Sequence, residues 1–269
     1  MSNLKRIIPG KYYHHNSIIH RLDPRTKVLA LIFLIISISI TGNILELLLI
    51  ALLIFISILF SKLPIISIAK DLKPFLWILV SLFLLHLLFE ENKAGAFLAL
   101  GPIKMTWNGL QKGILVGFRF LLIVLSAFIL TYTTIPICLA DAISRLTKPF
   151  KIIGINTEQL PLITMFVMYF VPELYNELNR LIIIQNMKGR KTWRRKFIRE
   201  PNLLINLLII LVRNSIQKSD QLLIGIESRC YNGHLRSNLY NYYFKLSDSL
   251  VLFISISIFI SFIIKYFFI

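Results

Sequence analysis

Apolar residues in this chain come in long unbroken runs rather than in alternation. Residues 28–41, 44–60, 74–89, 113–132 and 249–269 are each nearly free of charge. Such runs approach the roughly 17–25 residues that an α-helix needs to cross a bilayer, so about five transmembrane helices are predicted. Gly42-Asn43 carries no cation and makes the first two runs a tight helical hairpin with its tip on the outer side. Residues 63–68, with Pro64, are expected to lie along the membrane interface. Glu90-Glu91-Asn92-Lys93 begins an outer loop that ends near Trp107-Asn108-Gly109.

Two further apolar runs, 160–171 and 201–216, are interrupted or flanked by polar residues. Between them stands the densest basic cluster: Lys188, Arg190, Lys191, Arg194, Arg195, Lys196 and Arg199. The positive-inside rule places such a cluster in the cytoplasm. Four spans have already returned the chain inside by residue 132, and a full crossing at 160–171 would put the cluster outside. Both runs are therefore read as helices apposed to the membrane, the second leading to Arg229. Thr133-Thr134-Ile135-Pro136 reads as a helix start, a hydroxyl cap followed by proline. A mixed helix with Asp141, Arg145 and Lys148 follows over 138–149. The predicted organisation is a polytopic all-α membrane protein. Residues 1–132 form an N-terminal cytoplasmic segment and four spans, 133–243 a cytoplasmic coupling-helix domain, and 244–269 a last span.

Inside the coupling domain two segments share one design. Lys188 stands one helical turn above Ile184 and two above Leu181, and Gly189 follows it. Arg229 stands above Ile226 and Leu222, with Asn232-Gly233 close behind. Spacings of three, four and seven place these residues on one helical face, so a cation crowns an apolar stripe near each helix end. A cation in a last turn also suits the helix dipole on its own. Two on one side of a membrane suggest two plugs for two sockets on soluble partners.

Composition agrees with a membrane protein. Hydrophobic residues make up 56% and the mean hydropathy is +0.73, more apolar surface than a soluble domain of this length can bury. The net charge of +17 fits basic cytoplasmic loops rather than nucleic acid. Cys138 and Cys230 lack disulfide or zinc spacing, no metal is expected, and no cleavable leader is visible. There is no phosphate-binding loop, no H-E-x-x-H and no pair of carboxylates inside a span. The serines in spans, such as Ser37 and Ser39, are expected to bond within their own helices. No catalytic residue is assigned, and the chain is not expected to be an enzyme. His86 and Arg119 are ionisable groups inside spans, which marks them as candidates. For His86 a bond to a neighbouring helix is expected. For Arg119 the expectation is snorkelling or a backbone carbonyl.

The run Ile19-His20-Arg21-Leu22-Asp23-Pro24-Arg25-Thr26-Lys27 resembles the N-terminal signature of the transmembrane T component of energy-coupling factor (ECF) transporters, the EcfT or CbiQ-like family. The resemblance continues through Thr134-x-Pro136, Pro149 and Pro172-Glu173. It ends in two triplets, Met187-Lys188-Gly189 and Ser228-Arg229-Cys230, which match the family's Ala-Arg-Gly type triplets. It implies that Lys188, Gly189, Arg190, Ser228, Arg229 and Cys230 engage two cytosolic ABC-type ATPase subunits. Those partners would bind the ATP. A small membrane S component would capture the solute, a vitamin or a transition-metal ion, and the chain would sit in the bacterial plasma membrane. Three departures stand out: Lys188 for arginine, which loses the planar fork of donors; Cys230 for glycine, which is expected to delay the helix end toward Asn232-Gly233; and Tyr169 for arginine. The alternatives are a self-sufficient permease, disfavoured by the lack of buried acids, and a membrane enzyme acting on lipid through Asp23 or His20. Against the latter, Asp23-Pro24 reads as a helix cap, with Arg21 and Arg25 facing headgroups.

Overall fold

The computed structural model describes Tyr13 and residues 17–89, 96–100, 103–149, 159–187, 201–230 and 244–268. The chain is an all-α polytopic membrane protein with a short β-hairpin among the described residues. In order, the elements are α1 (Pro24–Ile40), α2 (Ile44–Ser61), α3 (Ile65–Phe89), β1 (Ala96–Leu100), β2 (Ile103–Thr106), α4 (Trp107–Thr133), α5 (Pro136–Leu146), α6 (Leu160–Met187), α7 (Pro201–Glu227) and α8 (Leu246–Phe268). The chain divides into two compact units, with α1–α5 and α8 in one and α6 and α7 in the other.

Local chemistry sets the helix ends in the first unit. Asp23 caps α1, its carboxylate accepting the Arg25 N–H at 2.9 Å, and Pro24 follows at a position where its missing N–H costs nothing. At the other end, the backbone N–H and hydroxyl of Thr41 both bond the Ser37 carbonyl. The Gly42-Asn43 turn then leads into α2, as the hairpin pattern predicts.

Among the described residues, four helices are long and apolar enough to cross a membrane: Ile44–Ser61, Ile65–Leu88, Trp107–Thr133 and Leu246–Lys265. Helix α1, with 17 residues, sits at the lower bound of the spanning range. Neither α6 nor α7 meets that length and hydropathy. Residues 63–68 do not form a separate interfacial segment. Helix α3 runs without interruption from Ile65, with Pro74 inside it.

Helix α3 packs most extensively on α4, and α1 on α8. Bilayer lipid is as apolar as leucine, so close packing and polar contacts, not water exclusion, hold such helices together. The core centres on Ile38, Leu47, Ile50, Ile54 and Leu122, each buried. On α4, Gly109, Gly113 and Gly117 are buried at four-residue intervals. A Cβ on Gly113 would lie 3.1 Å from the Phe83 ring and 3.2 Å from its carbonyl oxygen, so the absence of a side chain sets the α3–α4 approach. Trp77, 82% exposed, Leu45, 73%, and Phe253, 72%, point outward from the bundle, which suits lipid and not water.

One sequence expectation changes here. Helix α4 extends through Thr133, whose hydroxyl bonds Ile129 inside the same helix. The cap of α5 is Ile135, without a side-chain bond, so Thr133 and Thr134 are not capping hydroxyls. Helix α5 also packs on α1. The boundary between the compact units falls after Leu160.

Candidate functional site

The two candidate surfaces lie in different units. In the unit of α6 and α7, the helices meet through Glu173, which pairs with Lys218, and Glu177, which accepts a 3.0 Å bond from the Asn214 side chain. Stepping forward four residues on α6 steps back four on α7, so the helices run antiparallel. The Glu173 carboxylate holds the Lys218 ammonium pKa above its ordinary value. Glu173 belongs to the Pro172-Glu173 pair singled out in the sequence. Pro172 lies inside α6, which continues from Leu160 to Met187.

From this contact each helix continues for about three turns in opposite directions. Its ends, Met187 on α6 and Ser228 just beyond α7, lie about 35 Å apart at 1.5 Å per residue. Met187 is 82% exposed. Lys188, Gly189 and Arg190 lie outside the described residues, as does the basic cluster through Arg199. Ser228, Arg229 and Cys230 are all exposed.

The end of α7 departs from expectation. The helix stops at Glu227, and Ser228, Arg229 and Cys230 form the closing turn. Cys230 adopts φ 55°, and its N–H bonds the Glu227 carbonyl at 2.9 Å. This is the left-handed C-cap geometry normally assigned to glycine, with the shorter bond of a Schellman motif in place. Cysteine therefore does not delay the helix end to Asn232-Gly233. Arg229 projects from a tight turn, its N–H bonded to Ile226 at 3.2 Å, while Leu222 and Ile226 beneath it are partly buried.

In the other unit, the signature before α1 is a buried polar node. Asp248, fully buried, sits in the first turn of α8. Its Oδ2 accepts the Lys245 N–H at 2.8 Å, the reciprocal half of a capping box. Its Oδ1 accepts the Asp23 N–H at 2.9 Å and the Thr26 hydroxyl at 3.3 Å. One carboxylate thus serves the positive ends of two helices. The Lys27 ammonium donates to the Thr133 carbonyl at 3.0 Å, the His20 carbonyl at 3.4 Å and the Thr134 hydroxyl at 3.5 Å.

These bonds answer a backbone problem. Pro136 has no N–H, so the turn between α4 and α5 leaves carbonyls without helical partners. Tyr132 O is taken by the Tyr13 N–H at 3.1 Å, and Thr133 O by Lys27. His20 Nε2 donates to the Tyr13 carbonyl at 2.8 Å, and in the neutral ring Nδ1 accepts from the Ser17 hydroxyl at 2.6 Å. Leu22, Asp23 and Pro24 are buried, Arg25 is half-buried and Arg21 is exposed. The signature is thus structural at Asp23 and Lys27 and open to the surroundings at Arg21. The sequence reading missed Asp248, although an acid immediately before a long apolar run is a visible sign of a helix start.

Arg119 bonds the Thr41 carbonyl at the end of α1, one of the two expectations for it. His86 Nδ1 lies 3.0 Å from the Leu82 carbonyl in its own helix, not from a neighbouring helix as expected. Ser37 and Ser39 bond Phe33 and Ile35 within α1. Among the described residues, no group of three or more His, Cys, Asp or Glu side chains is placed to hold a metal ion.

Comparison with known proteins gives a consistent result. The profile of the family described as "CbiQ: Cobalt transport protein" matches residues 15–240. A protein of Heliobacterium modesticaldum named "Energy-coupling factor transporter transmembrane protein EcfT" is 33% identical over 231 residues, 86% of each chain. A protein of Acidaminococcus fermentans with the same name is 30% identical over 259 residues, 96% of each chain. Another from Streptococcus equi is 33% identical over 86% of this chain and 85% of its own.

Proposed function

Because this chain belongs to the CbiQ/EcfT family of energy-coupling factor transporter transmembrane proteins, we propose that it couples ATP-driven movement of two cytosolic ABC-type ATPases to a membrane protein that captures the solute. The solute class is a vitamin or a transition-metal ion. Lys188, Gly189 and Arg190 form one ATPase contact, and Ser228, Arg229 and Cys230 the other. ATP binding and hydrolysis belong to the partners, and α6, α7 and the basic cluster face the cytoplasm.

The observation that carries this reading is the antiparallel meeting of α6 and α7. It directs the two triplet-bearing ends away from each other by about 35 Å, a spacing suited to two separate sockets. Arg229 stands exposed on a tight turn, and an exposed guanidinium on a rigid support suits insertion into a groove lined by carboxylates or carbonyls.

Reconstitution in liposomes tests the proposal. The chain alone gives neither ATP hydrolysis nor solute uptake. Uptake appears only when two ABC-type ATPase subunits and a small capture protein are incorporated, and it requires ATP. Transport by the chain alone would contradict the coupling role and favour a self-sufficient permease.

A further inference from the structure

Between α1, α2, α4 and α8 lies a half-open cavity of about 490 Å³. Its walls are almost wholly apolar, with Leu22, Ala30, Leu34, Leu53, Phe60 and Ile254 among them. Lys27 is the one charged side chain on its wall. From Lys27 to Leu34 is two turns of α1, so the cavity reaches about 10 Å into the bundle. The hydrocarbon of one leaflet is about 15 Å deep, half of a ~30 Å core. The cavity thus occupies part of one leaflet, at the end of the bundle where α1 and α8 begin.

Cations surround that end. Arg21 is exposed and lies between Ile19 and Leu22, both of which line the cavity. Arg25 is half-buried, and Lys62 is exposed two residues beyond Phe60. The nearby acids offer no opposing charge at the surface, since Asp23 and Asp248 are buried and bonded to N–H groups. A spanning helix of a partner would need a groove running the full ~30 Å and 10–12 Å wide. The four hydroxyls on these walls, Ser57, Ser126, Thr133 and Ser255, each donate to a carbonyl of their own helix, which leaves a polar solute little to bond. We propose that the cavity holds one acyl chain of an anionic phospholipid from the cytoplasmic leaflet, with the phosphate headgroup against Arg21 and Arg25.

The full chain in nanodiscs of phosphatidylglycerol and phosphatidylcholine, transferred to mild detergent, tests this by native mass spectrometry. The wild-type chain retains one phosphatidylglycerol. Ala30→Phe fills the cavity and abolishes retention. Arg21→Gln, on an exposed side chain where folding is not at stake, reduces the preference for phosphatidylglycerol by about fivefold. Retention unchanged in Ala30→Phe, or no headgroup preference in the wild type, would overturn the proposal. A photoreactive residue at Ser57, which also lines the cavity, gives a second reading in native membranes. A phospholipid adduct supports the acyl-chain site, and cross-linking to a partner protein in its place overturns it.

Discussion

The carboxylate of Asp248 accepts the backbone N–H of Asp23 at 2.9 Å, joining the first turn of the last helix to the cap of the first. The residues are 225 apart in sequence, and the bond is buried. With Thr26 and Lys245 as further donors, this single acid closes the bundle at the end where α1 and α8 start. Asp248→Ala leaves the N–H groups of Asp23 and Lys245 without their acceptor, while the Thr26 hydroxyl keeps its 2.7 Å bond to the Asp23 carbonyl. It should lower the stability of the bundle by about 3 kcal/mol, read as a fall in the thermal unfolding midpoint in detergent. An unchanged midpoint would show that the node carries no energy.

Lys27 holds the Thr133 carbonyl at the α4–α5 turn. Lys27→Met keeps the length of the side chain but removes all three donors. Amide hydrogen exchange at residues 135–139 should rise several-fold, while the interior of α2 keeps its protection. Equal exchange in both proteins would mean that packing of α5 on α1 suffices to fix the turn.

Gly113 and Gly117 make opposite predictions from the same helix face. A Cβ at Gly117 meets only the Leu79 side chain, at 3.8 Å or more. Gly117→Ala should therefore be neutral or slightly stabilising, since alanine favours the helix by up to about 1 kcal/mol. Gly113→Leu must push α3 away from α4 and should cost about 2–3 kcal/mol. Thermal unfolding of the two variants side by side checks the pair.

Cys230 holds a backbone conformation that costs an L-residue roughly 1 kcal/mol relative to glycine. Cys230→Gly should stabilise the closing turn of α7 by about that amount, seen as about fivefold slower amide exchange at Ser228–Cys230. Cys230→Val should speed that exchange. The reverse order would mean that the turn is not left-handed in solution.

Much of the membrane unit was legible because its signal is long and local. The apolar runs, the Gly42-Asn43 turn and the Asp23-Pro24 cap each depend on neighbours in sequence. The errors came where distant partners decide. Thr133 and Thr134 look like caps until Lys27 and the proline break are brought together. Residues 63–68 were set apart from the span that follows, yet α3 runs on from Ile65 through Pro74 as one helix. Cys230 shows that a turn normally assigned to glycine can survive its loss when the bonds behind it are made. Asp248 and the glycine ladder of α4 were readable but overlooked, the acid through its place at a helix start and the glycines through their regular spacing.

Under the proposed coupling role, the diverging ends of α6 and α7 make two independent partner contacts. The direct measurement is affinity purification of the tagged chain, co-expressed with its ABC-type ATPases, with the recovered subunits counted for wild type, Lys188→Glu, Arg229→Glu and the double variant. The coupling account predicts two ATPase subunits with the wild type, loss of one with each single variant and none with the double. Full recovery of both ATPases with the double variant would contradict it.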